Sequence, residues 1–188
     1  MSSRFERTGS ETVYEGMVVS VRLDTFRHED GDEVTREIVT NRGAVAVVAH
    51  DGERLHLVRQ PREAVGAHDL LELPAGKLDV EGETPLQTAR RELAEEIGKA
   101  ASSWSLLAMY FASPGFTDEQ VHVFEATGLT DHAAETEENE RIEIVTHPLS
   151  DLDALIDGVR DAKTLVGLLE LRRRMTVRPA PERGRPGG

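Results

Sequence analysis

The segment 76–98, GKLDVEGETPLQTARRELAEEIG, limits the possible fold most strongly, because it predicts a helix with both ends defined by the sequence. Thr84 can cap the helix, Pro85 suits its first position, and Gln87 completes a capping-box pattern. Gly98 ends it. Apolar side chains at helical spacing predict one buried stripe, made by Leu86, Ala89, Leu93 and Ile97.

Three carboxylates crowd one side of this predicted helix. Glu92 and Glu96 lie four residues apart, and Glu95 is one turn from Glu92. Like charges at that spacing destabilise an isolated helix, and a bound divalent cation supplies a reason to keep them. Hard oxygen ligands favour Mg²⁺ or Mn²⁺ over zinc. Arg91 can pair with carboxylates and hold the preceding loop, which contains Glu83, against the helix. The alternative is that these carboxylates form a solvated charged face of the helix. The cluster alone does not decide between a cation site and a solvated face.

The remaining patterns predict mainly strands. Alternating apolar residues in 13–40, around Asp30-Gly31, predict a small antiparallel N-terminal unit, and residues 1 to about 10 are polar, which predicts a loose start. The apolar run 44–50 fits a strand buried on both faces. Further strands are predicted at 55–60, 70–73, 105–111, 121–126 and 142–149, and helices from about 150 and over 162–174. The class is therefore α+β or α/β with a mixed sheet.

Charge and composition exclude several kinds of function. The 188 residues include 35 Asp and Glu against 22 Lys and Arg, a formal net charge of −13, which argues against nucleic-acid binding. No cysteine is present, so disulfides, thiolate metal sites and cysteine nucleophiles are excluded. The first residues lack a signal-peptide core, and no apolar run reaches membrane-spanning length. We therefore expect a cytoplasmic protein with no membrane partner.

The acidic helix belongs to a longer pattern. Seven residues stand at the spacing of the Nudix box, and the chain resembles the Nudix hydrolase family over roughly residues 10–175: Glu83, Arg91, Glu92, Leu93, Glu95, Glu96 and Gly98. Two positions depart from the family pattern, because six residues rather than five separate Gly76 from Glu83, and Lys99 replaces an apolar residue. The resemblance implies an α/β/α sandwich with a mixed sheet. It also implies metal ligands at Glu92, Glu95, Glu96 and the Ala75 carbonyl, and structural roles for Gly76, Glu83, Arg91 and Gly98.

Other segments resemble one subfamily. Residues 112–119, ASPGFTDE, are similar to the segment that marks ADP-ribose pyrophosphatases, and residues 73–76, LPAG, match the loop before their box. This resemblance implies substrate-binding residues at Arg42, Arg59, Arg62, Ser113, Pro114, Gly115 and Glu119. Without the box, Pro114-Gly115 would be a plain turn and the arginines of 57–62 an exposed strand face.

A second acidic stretch, 135–143, has the sequence ETEENERIE. Charge patterning alone favours a solvated loop running into a strand. The resemblance instead implies that this loop brings carboxylates to the site, with Glu138 as general base and Glu140 as a further metal ligand. Glu95 and Glu96 complete the catalytic set that the resemblance implies.

Together, these implied roles describe metal-dependent hydrolysis of a small nucleotide-sugar, with ADP-ribose giving AMP and ribose 5-phosphate and with Mg²⁺ (or Mn²⁺) as cofactor. The expected organisation is an N-terminal β hairpin that forms a homodimer (1–42), a hydrolase domain (43–175) and a disordered tail (176–188). Three alternatives stay open: a broader nucleoside-diphosphate sugar hydrolase, a nucleotide-pool sanitiser or dinucleoside polyphosphate hydrolase, and a non-catalytic binding or regulatory protein with the Nudix fold. Some subfamily members stack adenine on an aromatic residue at the position where this chain has Met17 and Val18. The lack of an aromatic residue there favours the broader nucleoside-diphosphate sugar hydrolase among the alternatives.

Overall fold

A computed structural model describes residues 4–132 and 141–177. The strands are β1 (Phe5–Glu15), β2 (Ser20–His28), β3 (Glu33–Thr40), β4 (Ala44–His50), β5 (Arg54–Arg62), β6 (Ala67–Glu72), β7 (Ala75–Lys77), β8 (Lys99–Phe111), β9 (Gln120–Asp131) and β10 (Glu143–Pro148). The α-helices are α1 (Pro85–Ile97), α2 (Leu152–Gly158) and α3 (Ala162–Val177). Short 3₁₀ turns occupy Glu63–Val65 and Leu149–Asp151. None of the described helices has both the length and the apolar character that crossing a membrane requires.

The strands form two sheets. The central sheet has the order β10-β5-β4-β9-β8, with β6 added on β5 and β7 added on β4. Its β4 and β9 run parallel whereas its other pairs are antiparallel, so the sheet is mixed, as the sequence predicts. The N-terminal strands β1, β2 and β3 form a separate antiparallel sheet.

The core lies on both faces of β4, whose residues 45–49 are all fully buried. Successive side chains of a strand point to opposite faces, and here each face has its own apolar cluster. The apolar stripe of α1 packs on one face, while α2 and α3 cover the other. The molecule is therefore an α+β protein with α/β/α layers, which confirms the predicted fold class.

Helix α1 has the ends that the sequence predicts. The Thr84 side chain accepts a hydrogen bond from the Gln87 backbone N–H, and the Gln87 side chain accepts one from the Thr84 N–H, so the capping box is complete. Gly98 has a φ of 63°, the left-handed conformation that ends a helix and favours glycine. Because these contacts are local, they define the position of the helix independently of the rest of the fold.

The N-terminal prediction was wrong in one respect: β1 begins at Phe5, within the stretch predicted to be loose. Every residue of β1 is exposed, and the strand is held by backbone pairing with β2. Backbone pairing needs no apolar side chains, so hydropathy carries no signal for this strand. The predicted hairpin at Asp30-Gly31 is confirmed, and it joins β2 to β3. At the other end of the chain, α3 includes residues 176 and 177 of the predicted tail, and 178–188 lie outside the described residues.

Asp24 joins β1 to β2 through a buried carboxylate. It accepts hydrogen bonds from Ser10 Oγ at 2.6 Å, Arg22 Nη2 at 3.2 Å and Arg7 Nη1 at 3.4 Å, and the residue is 1% exposed. The Ser10 hydrogen bond lowers the pKa of Asp24 most; burial raises it, and Arg22 and Arg7 lower it further, so it lies below 3.8. The ionised carboxylate is therefore favoured in the folded state.

We expect Asp24→Asn to lower the free energy of unfolding by about 1–3 kcal/mol at neutral pH, because Ser10, Arg22 and Arg7 lose a buried, charged acceptor. A carboxyl group whose pKa is lower in the folded than in the unfolded state stabilises the fold at pH values above the unfolded pKa. This stabilisation is lost as the pH falls through the folded pKa. The difference between variant and wild type should therefore shrink below about pH 4. Urea unfolding followed by circular dichroism at several pH values measures it, and a pH-independent difference would contradict this account.

Gly167 allows α3 to pack closely against the sheet. A Cβ added there would lie 2.6 Å from Leu73 Cδ1 and 2.9 Å from Val48 Cγ2. On the preceding turn, Thr164 Oγ1 accepts a hydrogen bond from the Leu73 N–H at 2.8 Å. The start of α3 is thus attached to the end of β6, directly before residues 74–76.

Gly167→Leu should destabilise the protein by about 1–3 kcal/mol or more, because the added side chain overfills a packed interface. Gly158→Leu is the matched control, since a Cβ at Gly158 meets no atom within 4 Å. Thermal unfolding of the two variants provides the comparison, and equal losses of stability would show that close packing at α3 is unimportant.

Candidate active site

One cavity of about 560 Å³ lies where α1, the central sheet and the start of α3 meet. Its lining contains both signs of charge: the carboxylates of α1, and basic side chains from β5 and α3. The lining residues used below are Gln60, Arg62, Ala75, Gly76, Glu92, Glu95, Glu96, Tyr110, Glu119, Asp161 and Lys163. The structure therefore brings the acidic helix and Arg62, which are separated in sequence, to one place.

Arg91 bridges two carboxylates of α1, those of Glu92 and Glu95. Its Nη1 lies 2.8 Å from Glu92 Oε1 and donates to Glu95 Oε2 at 2.8 Å. Its Nε donates to Glu83 Oε2 at 3.4 Å, which ties the preceding loop to the helix. Burial lowers the pKa of Arg91, but the three carboxylates raise it by more, so the guanidinium stays charged. The predicted pairing of Arg91 with the loop is confirmed.

Gly76 is required by the closeness of β7 to α1. A Cβ at Gly76 would lie 1.9 Å from Glu92 Cδ, so a side chain there would displace this carboxylate. The neighbouring Ala75 N–H donates to Glu96 Oε2 at 2.9 Å, and Glu96 is 8% exposed. The extra residue between Gly76 and Glu83 therefore leaves the contact between the loop and the helix in place.

These residues suit a hard divalent cation by the chemistry of their donors, since carboxylate and carbonyl oxygens are the ligands such ions prefer. Across 4–132 and 141–177, no three His, Asp or Glu side chains have the spacing that holds a metal ion. The carboxylates contact Arg91 and the Ala75 N–H instead. Gly76 leaves space for the Glu92 carboxylate beside the cavity. The residues therefore fit the predicted ion by the chemistry of their donors.

The other predicted substrate residues lie at different distances from the cavity. Glu119 lines it and accepts a hydrogen bond from Asn41 Nδ2 at 3.1 Å. Arg42 Nη1 donates to the Asp79 carbonyl at 3.0 Å, and Arg59 Nη1 lies 3.8 Å from the exposed Asp69. The segment of Ser113, Pro114 and Gly115 forms a turn in which the Ser113 carbonyl accepts from the N–H groups of Phe116 and Thr117. Substrate binding by these residues stays a prediction.

The predicted base Glu138 and the further ligand Glu140 lie outside the described residues. Their roles stay predictions. The strand that follows them, β10, pairs with β5.

Sequence reasoning missed five residues around the cavity: Gln60, Glu72, Tyr110, Asp161 and Lys163. Burial, followed by the charges of Asp161 and Glu119, raises the pKa of Tyr110 to about 12, so its hydroxyl is neutral. Glu72 offered one signal, because it is a charged residue inside the otherwise apolar run 70–73. Lys163 offered no signal in the sequence, because its partner Glu72 lies 91 positions away.

Gly76→Ala should weaken binding of Mn²⁺ by about 10- to 100-fold, because the new methyl group displaces the Glu92 carboxylate from the wall of the cavity. Titration followed by electron paramagnetic resonance measures the free ion directly. Gly158→Ala serves as control, since a Cβ there meets nothing within 4 Å. Unchanged Mn²⁺ affinity in folded Gly76→Ala protein would remove Glu92 from the proposed ligands.

Comparison with known proteins identifies relatives of this chain. The family model described as the NUDIX domain matches residues 40–167. An ADP-ribose pyrophosphatase of Mycobacterium tuberculosis (strain ATCC 25618 / H37Rv) is 48% identical over 126 residues, which cover 66% of this chain and 60% of that protein. The aligned region thus spans less than two thirds of that relative's length.

Two further relatives align over more of their length. An ADP-ribose pyrophosphatase of Bacillus subtilis (strain 168) is 38% identical over 170 residues, covering 87% of this chain and 91% of that one. A methanol dehydrogenase activator of Bacillus methanolicus is 35% identical over 164 residues, covering 85% and 88%.

A solved structure titled as an ADP compounds hydrolase superposes with a TM-score of 0.82 at 24% identity, covering 92% of this chain and 95% of that one. This similarity supports the fold. The family model spans more than half of the chain and includes the Arg91-centred carboxylate cluster on α1. The chain belongs to the Nudix family.

Proposed function

We propose that this chain is a metal-dependent hydrolase of nucleoside diphosphates linked to another group, and that it cleaves ADP-ribose to AMP and ribose 5-phosphate. One observation carries the proposal: the carboxylates of α1 and the guanidinium of Arg62 line the same cavity. Carboxylates and basic groups in one cavity suit a metal ion and an anionic substrate together. The relatives at 48% and 38% identity, both named ADP-ribose pyrophosphatase, support the choice of substrate.

Glu92, Glu95, Glu96 and the carbonyl of Ala75 would hold the divalent cation. Their hard oxygens suit Mg²⁺, and Mn²⁺ accepts the same donors. When bound, the ion would supply positive charge to neutralise the diphosphate and to activate water. Arg91 keeps Glu92 and Glu95 at the cavity wall, and the Ala75 N–H orients Glu96.

The chain's own side chains would position the substrate and move one proton. Arg62 donates hydrogen bonds to the diphosphate, and a bidentate guanidinium fixes orientation as well as charge. The water oxygen forms a bond to one phosphorus, the bond from that phosphorus to the bridging oxygen breaks, and the water proton passes to Glu138. General-base assistance of this kind contributes about 10²–10⁴ in rate. Glu140 adds a ligand from the same acidic segment.

The remaining substrate contacts belong to the turn 113–119 and to residues close to it. Glu119 and the turn formed by Ser113, Pro114 and Gly115 would contact the nucleoside or the ribose. Arg42 and Arg59 would add charge at the rim.

A homodimer through residues 1–42 forms part of the proposal. Strand β1 lies at the edge of its sheet, and a second copy can pair with its exposed backbone. Exposed apolar side chains lie on the same unit: Phe5, Val13, Tyr14, Met17 and Val18. We place residues 43–175 in the hydrolase domain and the protein in the cytoplasm.

A substrate panel tests the proposal: ADP-ribose, ADP-glucose, GDP-mannose, NADH, diadenosine polyphosphates and 8-oxo-dGTP, each with Mg²⁺ or Mn²⁺. Glu96→Gln should lower kcat by about 10²-fold or more with ADP-ribose, because the loss of a ligand removes several kcal/mol of charge stabilisation. Glu53→Gln, on the exposed turn before β5, should leave the rate unchanged.

The profile separates the alternatives. Strong preference for ADP-ribose supports the proposal, and a flat or guanosine-led profile would keep the chemistry but remove ADP-ribose as the substrate. Absence of turnover in folded, metal-loaded protein would favour the non-catalytic binding protein.

A further inference from the structure

Four charged side chains from three elements form a connected cluster beside the cavity: Arg62 on β5, Glu72 on β6, and Asp161 and Lys163 at the start of α3. Glu72 accepts two hydrogen bonds from Arg62, from Nε at 2.7 Å and from Nη2 at 2.8 Å. It accepts a third from Lys163 Nζ at 2.6 Å, and Lys163 also donates to Asp161 at 2.9 Å. One buried carboxylate therefore fixes both cations.

Glu72 is more deeply buried than the two cations that it binds. The side chain of Glu72 is 1% exposed, whereas those of Arg62 and Lys163 are 40% and 17% exposed. The cavity lining found among the described residues includes both cations but not Glu72. Burial raises the pKa of Glu72, but the hydrogen bonds and charges of Arg62 and Lys163 lower it by more, so the carboxylate is ionised. The cluster thus presents its positive members to the cavity.

Both cations keep donors for a further partner. Lys163 has three N–H groups and gives one to Glu72 and one to Asp161; Arg62 has five and gives two to Glu72. Within the described residues this leaves one N–H on Lys163 and three on Arg62. Asp161 also lines the cavity, but it accepts hydrogen bonds from Lys163 and from both the N–H and the hydroxyl of Thr164. Its negative charge is therefore satisfied locally.

We propose that Lys163 binds the diphosphate beside Arg62, and that Glu72 is a positioning residue which holds the two cations next to each other. The inference rests on the proposed function and adds a second basic side chain to the substrate site. Attachment of α3 to the sheet does not need this cluster, because the Thr164–Leu73 hydrogen bond and the close packing at Gly167 already provide it.

The test compares Lys163→Met and Glu72→Gln with the matched control Lys99→Met. Lys99 is the first residue of β8, pairs with Asp131 and does not line the cavity. Two quantities are measured on the full chain: kcat and KM for ADP-ribose with Mg²⁺, and the Kd for ADP-ribose by calorimetry in a chelator. Lys163→Met should raise KM and Kd by about 10- to 100-fold, since a charge-assisted hydrogen bond is lost. Lys163→Arg should restore part of the affinity.

Glu72→Gln should also raise Kd, although its side chain does not line the cavity. If Glu72 acts through Lys163, the double variant Glu72→Gln/Lys163→Met loses less affinity than the product of the two single losses. Thermal unfolding identifies the temperature below which every variant is folded, and the titrations are made below that temperature. A purely structural cluster would lower the melting temperature while the Kd of the folded variants stayed at the wild-type value.

The outcomes for the two proposals are distinguishable. Wild-type protein that neither binds nor hydrolyses ADP-ribose overturns the proposed function and the inference with it. If wild type is active but Lys163→Met has the Kd and KM of Lys99→Met, the inference alone is overturned. If the loss of affinity in the double variant equals the product of the two single losses, Lys163 stays a binding residue and the role of Glu72 in positioning Lys163 is overturned.

Discussion

The site depends on one interaction, the pairing of Arg91 with the carboxylates around it. Like charges one turn apart oppose helix formation, and α1 carries three of them beside a loop that supplies a fourth. Arg91 contacts Glu83, Glu92 and Glu95 at once, which offsets the repulsion and fixes the loop in the same step. The acidic wall of the cavity can therefore exist before any cation binds.

The central sheet determines which residues lie beside the carboxylates of α1. Strand β7 pairs with β4 and brings Gly76 against Glu92, while β6 ends where the start of α3 is attached. Because β4 is buried on both faces, α1 and α3 pack on opposite sides of it and are still joined through the segment 72–76. A shift of α3 would therefore move Lys163 and the end of β6 relative to α1.

The sequence was sufficient wherever the determinants are local or periodic. The capping box at Thr84, the termination at Gly98 and the buried run of β4 are readable from neighbouring residues, and they locate α1 and the core. Strand β1 was not predictable, because all its residues are exposed and it is held by backbone pairing and polar contacts with β2, which leave no pattern in its hydropathy. The pairing of Glu72 with Lys163 was not predictable either, since 91 positions separate the partners and neither belongs to the box.

Net charge explains why such long-range pairing matters for the proposed chemistry. A chain with a formal charge of −13 repels a diphosphate at long range, yet salt screens charges beyond about 8–10 Å, so the groups within the cavity dominate once the substrate has entered. There the carboxylates of α1 suit a divalent cation, and Arg62 and Lys163 line the same cavity. A diphosphate in the cavity would meet the positive charge of the cation and of these two side chains. Glu72, which is buried and does not line the cavity, binds both side chains without itself contacting the phosphates.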